Sequence, residues 1–399
     1  MRLATNPWFI VAAAAVLILA SNVGIRQTTG LMLPEISLSL NEPVSDLAFG
    51  FGVQNLLWGA VAPLAGMLAE RYGTVKVLQI GGIIYLAGML MAAFAENGWM
   101  FFVANAILVG VGVGATTFPI VLAAVSRKFP ESQRTFALGV TSAGGSLGQF
   151  IYAVLLGWID PVLDWSEVFL VFAFTLITVF AVAVCLKEKE KPKQSSAPLF
   201  DLACIRKAFQ YREYVLLNLG FFVCGFHIAL LTVHMAGVVN YCGLPPEVAA
   251  NSLAVIGLAN VAGVIVAGWA GDRWHKPWLL TLIYWLRACL IMCLLIIPPD
   301  TQLFYLFSVA MGVLWLSTVP LTSGTVAQMF GTKNLASLFG IVMFSHQIGA
   351  FCGSWWSGII FDQSGSYEWA LILSAALGLF AAAVHLPITP SKISRFQTA

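Results

Sequence analysis

Charge is what this chain has least of. Asp, Glu, Lys and Arg make up 10% of its 399 residues, against roughly 25% in a soluble domain. No Asp or Glu lies deep in any apolar run; Glu35, Asp160 and Asp362 all sit near run ends. The seven cysteines, Cys185, Cys204, Cys224, Cys242, Cys289, Cys293 and Cys352, are odd in number and lack metal-ligand spacing, so they read as small buried hydrophobes. There is no nucleotide loop, metal cluster or catalytic triad. Those absences exclude an ATP-driven pump and give no reason to expect an enzyme, a metal, a cofactor or a nucleic-acid partner.

What fills the chain instead is apolar sequence: 59% hydrophobic residues and a mean hydropathy of +0.88. A hydrocarbon core of about 30 Å is crossed by about 20 helical residues. Twelve runs reach that length, at 8–33, 46–69, 77–95, 99–126, 134–158, 166–186, 214–240, 249–270, 278–297, 302–328, 334–360 and 368–387. The first run is too long for a signal-peptide core and is taken as a retained span. Thirteen tryptophans, among them Trp8, Trp99, Trp165 and Trp369 near run ends, suit interfacial anchors.

The cations set orientation. Arg71, Lys76, Arg127, Lys128, Arg134, Arg273, Lys276 and Lys333 follow even-numbered runs. The rest are at the termini or in the one long polar segment, Lys187 to Glu213, which also holds Lys189, Lys191, Lys193, Arg206, Lys207 and Arg212. The exceptions are Arg26 and Arg287, which lie well inside runs, whereas Arg134 only begins one. The positive-inside rule therefore predicts both termini and the central segment in the cytoplasm of a multi-pass protein of the cell (inner) membrane. The expected division is 1–186, a cytoplasmic loop at 187–213, and 214–399.

The halves repeat. Thr117-Phe118-Pro119 is echoed by Thr318-Val319-Pro320, and Gly139 and Gly157 by Gly340 and Gly358, each 201 residues on. Gly66, Glu70 and Arg71 are echoed by Gly268, Asp272 and Arg273 at 202. Two six-span halves joined by a polar loop is a secondary-transporter plan, with substrate held between halves near mid-membrane. Pro119 and Pro320 are expected to distort their helices, with threonine hydroxyls partly compensating the freed carbonyls.

Polar residues inside the runs are the candidate site. An arginine at mid-membrane costs at least ~2.5–3.5 kcal/mol, so it faces protein or water. Asn22, Arg26, Thr29 and Gly30 share one helical face. Arg26 is either a ligand for a substrate anion, gripping a carboxylate with two prongs, or a structural residue bonded to carbonyls. Arg287 carries the same two readings, with gating added to the first. His227, 201 residues after Arg26, with His234 and His346, are the candidate proton carriers, histidine being the side chain that titrates near neutrality. Gln54, Asn55, Trp58, Thr116, Thr117, Tyr152, Asn260, Trp315, Thr318, Ser345 and Gln347 complete the candidate lining.

The segment Gly66-Met67-Leu68-Ala69-Glu70-Arg71-Tyr72-Gly73 resembles the signature between spans two and three of the major facilitator superfamily, with Glu70 where Asp is usual. That resemblance implies an all-α membrane protein of 12 transmembrane helices in two six-helix bundles related by a pseudo-two-fold axis. It also implies gating roles for Gly66, Glu70, Arg71, Asp272 and Arg273, the acid and arginine latching in one state.

Gly24-Ile25-Arg26-Gln27, Cys224-Gly225-Phe226-His227, Leu314 to Pro320 and Phe344 to Gly349 are similar to bacterial monocarboxylate-transporter-like and oxalate/formate-antiporter-like members. The eighth span departs from them, since Ala259 to Val264 holds neither arginine nor aspartate. The similarity implies a monomeric secondary transporter of small organic anions, working by alternating access, with a proton as candidate co-substrate. Substrate-for-substrate anion exchange and export of amphipathic compounds are the alternatives.

Overall fold

The computed structural model describes residues 7–129, 131–159, 162–187, 202–331 and 335–389. Asp160, Lys189, Lys191, Lys193, Lys333 and both chain ends lie outside the described residues, as do the side chains of Glu70, Arg127 and Arg134 and the surroundings of Gly139. The described residues form helices and no strand. Eleven of these elements are long and apolar enough to cross a membrane. The remaining span, eleventh in chain order, is α16 (Leu335–Ser364), with 30 residues and a hydropathy lowered by Ser345, His346, Gln347, Ser354 and Ser357.

The first span is longer than the apolar pattern predicts. It runs through α1 (Pro7–Thr28), a 3-10 turn at Thr29–Met32 and α2 (Leu33–Leu40). Thr28 and Thr29 bond back to the carbonyls of Gly24 and Arg26 at 2.9 and 3.1 Å. Pro34, in the first turn of α2, has no N–H to return, so the helix tightens there rather than ending. Asn41, at φ 51, and Pro43 lead into α3 (Val44–Tyr72). That helix stops at Gly73, whose φ of 94 suits glycine.

Span three is α4 (Thr74–Ala93). Span four is built from α5 (Gly98–Phe102), a π-helical stretch at Val103–Val109, α6 (Gly110–Thr116) and α7 (Phe118–Lys128). Thr117, at φ −95 and ψ −170, breaks it next to Pro119. Spans five and six are α8 (Glu131–Ile159) and α9 (Trp165–Ala183). A short helix, α10 (Leu202–Ala208), precedes α11 (Arg212–Tyr241), α12 (Glu247–Gly271) and α13 (Lys276–Ile296). Span ten divides into α14 (Thr301–Leu314) and α15 (Thr318–Phe330), so the second Thr-x-Pro motif also marks a helix break. Span twelve is α17 (Glu368–His385).

Glycines let helix backbones touch within each half. A Cβ on Gly148 of α8 would strike the Ala20 carbonyl of α1, and one on Gly349 of α16 the Phe222 carbonyl of α11. The two glycines are 201 residues apart, but Ala20 and Phe222 are 202 apart. Gly24 against Tyr152, and Phe226 against Gly353, repeat the same one-residue difference. Packing therefore pairs Arg26 with Ile228 across the repeat, and His227 with Ile25.

Between halves, contacts gather at one end. There Ser45 N donates to Asp362 Oδ2 at 2.8 Å and Ser354 Oγ to the Ala48 carbonyl at 2.6 Å. Gly30 lies on the Thr232 backbone, and Gln149 Nε2 reaches the Leu253 carbonyl at 3.0 Å. Further along α3, Gly59 still touches Gln347, but Gly66 and, on α16, Gly340 have open space where a Cβ would point. The halves meet at the Asp362 end and part at the end carrying Arg71 and Arg273.

Candidate functional site

Arg26 sits where the closed seam gives way to the opening, with 9% of its surface exposed. One Nη donates to Asn55 Oδ1, which is held by its own Nδ2 bond to the Phe51 carbonyl at 2.8 Å. The guanidinium lies 4.5 Å from the ring centre of Trp58, and its Nε has no partner. No carboxylate of the described residues bonds it. A buried cation with a neutral amide, a ring face and a free donor has the chemistry to receive an anion, whose opposite charge would offset its desolvation.

Around it stands a network that positions span four. Asn22 Nδ2, one turn before Arg26, donates to the Val113 carbonyl at 3.2 Å and to Thr116 Oγ1 at 2.5 Å. Tyr85 of α4 donates to the Asn22 carbonyl at 3.3 Å. Thr117 Oγ1 is buried and unpartnered beside this break. Gln347 lies against Gly59, the neighbour of Trp58, with its Oε1 unpartnered. His346, adjacent in sequence, is 5% exposed, packs on Phe221 with ring centres 5.2 Å apart, interacts with Cys224 and has a free Nδ1.

Several residues expected to join Arg26 belong elsewhere. Arg287 donates to the carbonyls of Leu314 and Trp315, at 2.6 Å for Leu314, and reaches Cys224 Sγ at 3.5 Å. Its cation is spent on the break in span ten. Trp315 and Thr318 share that cluster, Thr318 Oγ1 lying 3.2 Å from Cys224 Sγ. His227 turns to the Ser374 carbonyl of α17 at 2.8 Å, so it does not face Arg26. His234 bonds the Ser354 carbonyl at 2.7 Å and contacts Tyr367 Oη at 3.3 Å. Gln54 serves the π-helical stretch through Asn105 at 2.9 and 3.0 Å. Tyr152 donates to Thr175 of α9 at 2.7 Å. Asn260 bonds Ser146 at 2.8 Å, and Ser345 the Asn218 carbonyl at 2.9 Å.

Tyr85 and Cys224 escaped the sequence reading, though a signal existed. At an offset of 202, Asn22 pairs with Cys224, Tyr85 with Arg287, and Thr116 with Thr318. Each half thus ties its broken helix to its first and third spans through equivalent positions.

At the open end Arg71 lies over the ring of Tyr72 at 5.4 Å. Arg273 lies over Trp269 at 4.2 Å and donates to the Trp269 carbonyl at 3.1 Å. Neither arginine is paired with an acid among the described residues, and Glu70's side chain is outside them; Gly268, like Gly66, faces open space, and Asp272 closes α12.

Comparison with known proteins agrees with this geometry. The family model "Major Facilitator Superfamily" matches residues 15–249 and 217–399. The chain is 23% identical over 372 residues to rat "Monocarboxylate transporter 13", covering 92% of this chain and 85% of that protein. It is 25% identical over 337 residues to "Uncharacterized MFS-type transporter YhjX" of Escherichia coli, covering 83% of each. Among solved structures, a bacterial homologue of the human lysosomal transporter Spinster, inward-facing and unoccupied, superposes with a TM-score of 0.76 at 15% identity over 96% of both chains. A D-xylose-proton symporter superposes with a TM-score of 0.76 at 14% identity over 96% and 98%.

Proposed function

The chain belongs to the Major Facilitator Superfamily as a multi-pass membrane transporter, and from that premise we propose that it carries small organic anions of the monocarboxylate type by alternating access. The observation that carries this reading is Arg26, a buried guanidinium with one amide partner and, among the described residues, no carboxylate, at the boundary between seam and opening. A carboxylate entering from the open end supplies the missing charge and takes the free donors. Charge-assisted forks of this kind are short, strong and selective for planar anions. The names of the monocarboxylate-transporter relatives point to the same substrate class.

The clustering of Lys and Arg at the open end supports a cytoplasmic assignment for that end and for both termini, in the cell membrane. The state described is then inward-open, with residues 1–186 and 214–399 as the moving halves of a monomer. Asn22, Asn55, Trp58 and Thr117 from the first half, and His346 and Gln347 from the second, are the residues we assign around the anion. Arg287, Trp315 and Thr318 support span ten instead. A co-transported proton rides on the substrate carboxyl or on His346, because His227 and His234 are committed to backbone carbonyls. That same commitment favours a second reading, proton-independent anion exchange.

Counterflow in proteoliposomes tests both readings, using radiolabelled acids from formate to hexanoate with and without a pH gradient. Saturable counterflow of a monocarboxylate, lost in Arg26→Gln, is the expected result. Equal counterflow in the variant, or transport only of neutral or cationic amphiphiles, overturns it. Net uptake that ignores the gradient while counterflow persists selects the exchanger.

A further inference from the structure

Asn260 of α12 is 1% exposed and has its amide fixed at both ends. Its Nδ2 donates across the interface to Ser146 Oγ of α8 at 2.8 Å, and its Oδ1 accepts from Leu316 N at 2.9 Å. The second bond exists only because span ten is broken. In an unbroken helix Leu316 N would donate to the Gly312 carbonyl four residues back, but that carbonyl takes Trp315 N at 3.1 Å.

The break is held open from the other side. Arg287 occupies the Leu314 and Trp315 carbonyls, Ser317 Oγ donates to the Val313 carbonyl at 2.5 Å, and Val319 N turns to the Leu316 carbonyl at 3.0 Å. One chain of bonds therefore runs from α13 through the break to α12 and across to α8. Gly257, one turn earlier on α12, lets the helices approach, since a Cβ there would lie 3.0 Å from the Ser146 carbonyl and Phe150 N.

We propose that Asn260, Ser146 and the broken segment of span ten form a conformational clasp that holds the two halves together in this state, with Arg287 as the positioning residue that keeps Leu316 N free. None of these groups touches substrate in this assignment. In a transporter whose halves rock against each other, the α8–α12 seam has to part before the opposite end opens. Asn260 then stabilises the state seen here and releases when Ser146 withdraws. The clasp uses neutral partners, so it opens without stranding a charge.

The test needs no substrate, so its outcome is independent of the Arg26 reading. Ala48, fully buried on the other seam beside Gly358, is replaced by cysteine as a reporter of global opening. Purified Ala48→Cys protein is labelled with a maleimide, and protein with native Ala48 supplies the blank for the seven native cysteines. Removing one neutral hydrogen bond shifts the ratio of states by roughly 2- to 12-fold. Ser146→Ala should raise the labelling rate by that factor, and Asn260→Ala by at least as much. The double variant should match Asn260→Ala alone, because both substitutions remove one shared bond. Ser146→Thr keeps the hydroxyl and should label at the unsubstituted rate, which separates clasp loss from general loosening. An unchanged rate in Ser146→Ala, factors that multiply in the double variant, or a Ser146→Thr rate equal to that of Ser146→Ala overturns the proposal.

Discussion

Replacing Arg26 by glutamine removes a cation whose described partners are one amide oxygen, on Asn55, and one ring face, on Trp58. Two stabilising terms go with it, about 1.5–3 kcal/mol for a hydrogen bond with a charged donor and about 0.5–2 kcal/mol for the cation–ring contact. Against them stands relief of burying an uncompensated charge, an effective penalty of several kcal/mol. The empty variant should therefore unfold no earlier than the native protein. Substrate affinity moves the other way. Hydrogen bonds to charged groups are worth about 1.5–3 kcal/mol each, so a two-pronged grip contributes at least ~3 kcal/mol, or roughly 100-fold. Lysine keeps the charge and loses the fork, so Arg26→Lys should recover about half of that free energy, near 10-fold. Counterflow measures the affinity, and thermal unfolding in detergent measures the stability. Ligand at 100 times its native Kd should raise native stability by about 2.7 kcal/mol and that of Arg26→Gln, with affinity down roughly 100-fold, by no more than about 0.4 kcal/mol. A glutamine variant that transports normally, or that unfolds early and is fully repaired by lysine, would refute the assignment and return Arg26 to the scaffold.

Arg287→Gln should behave in the opposite sense: it strips two carbonyls of their partner at about 1–3 kcal/mol each, so thermal unfolding and expression fall, and a normal melting curve with a raised KM would instead make Arg287 a ligand. His346→Gln should remove the response of net uptake to an imposed pH gradient, while His227→Gln and His234→Gln leave that response in place; an unaltered response in all three assigns the proton to the substrate. Asp164 caps α9 through Glu167 N at 3.0 Å, and that bond, with Ser166, holds its carboxyl below the usual carboxylate value. Asp164→Ala should cost about 1 kcal/mol at neutral pH, and the difference between variant and native melting should vanish as pH falls through and below ~3.9.

The spans were legible because bilayer thickness and the placement of cations act on long stretches. Local departures were not. The 3-10 turn after Thr28 depends on two hydroxyls bonding backwards while Pro34 withholds a donor, and the π-helical stretch at Val103–Val109 is stabilised by Gln54 from another helix. The two Thr-x-Pro motifs did announce the breaks in spans four and ten. What they could not announce was who serves the freed carbonyls. Arg287 lies 27 and 28 residues before its acceptors, and no periodicity within α13 distinguishes that arrangement from an arginine facing substrate.

The pairing of Arg26 with His227 fails by a single residue, and the reason is geometric. An offset of 201 is correct where it was measured, at Pro119 and Pro320 beyond the helix breaks, and at the glycines of α8 and α16. The first and seventh spans obey 202, as the Ala20–Gly148 and Phe222–Gly349 contacts require. A helix turns about 100° per residue, so one residue of slip carries a side chain from the face between the halves to the face toward its own bundle. That rotation puts His227 on α17 and leaves Ile228 opposite the level of Arg26. The consequence is chemical: the first half contributes a cation, and the matching position of the second half contributes a hydrocarbon. The correct register also reveals the Asn22–Tyr85–Thr116 and Cys224–Arg287–Thr318 clusters as one design written twice, and it sets the second arginine on the break in span ten rather than beside Arg26. Under the proposed function, one guanidinium with no carboxylate partner among the described residues and an apolar residue at the equivalent position would suit a substrate with one carboxylate and an apolar remainder.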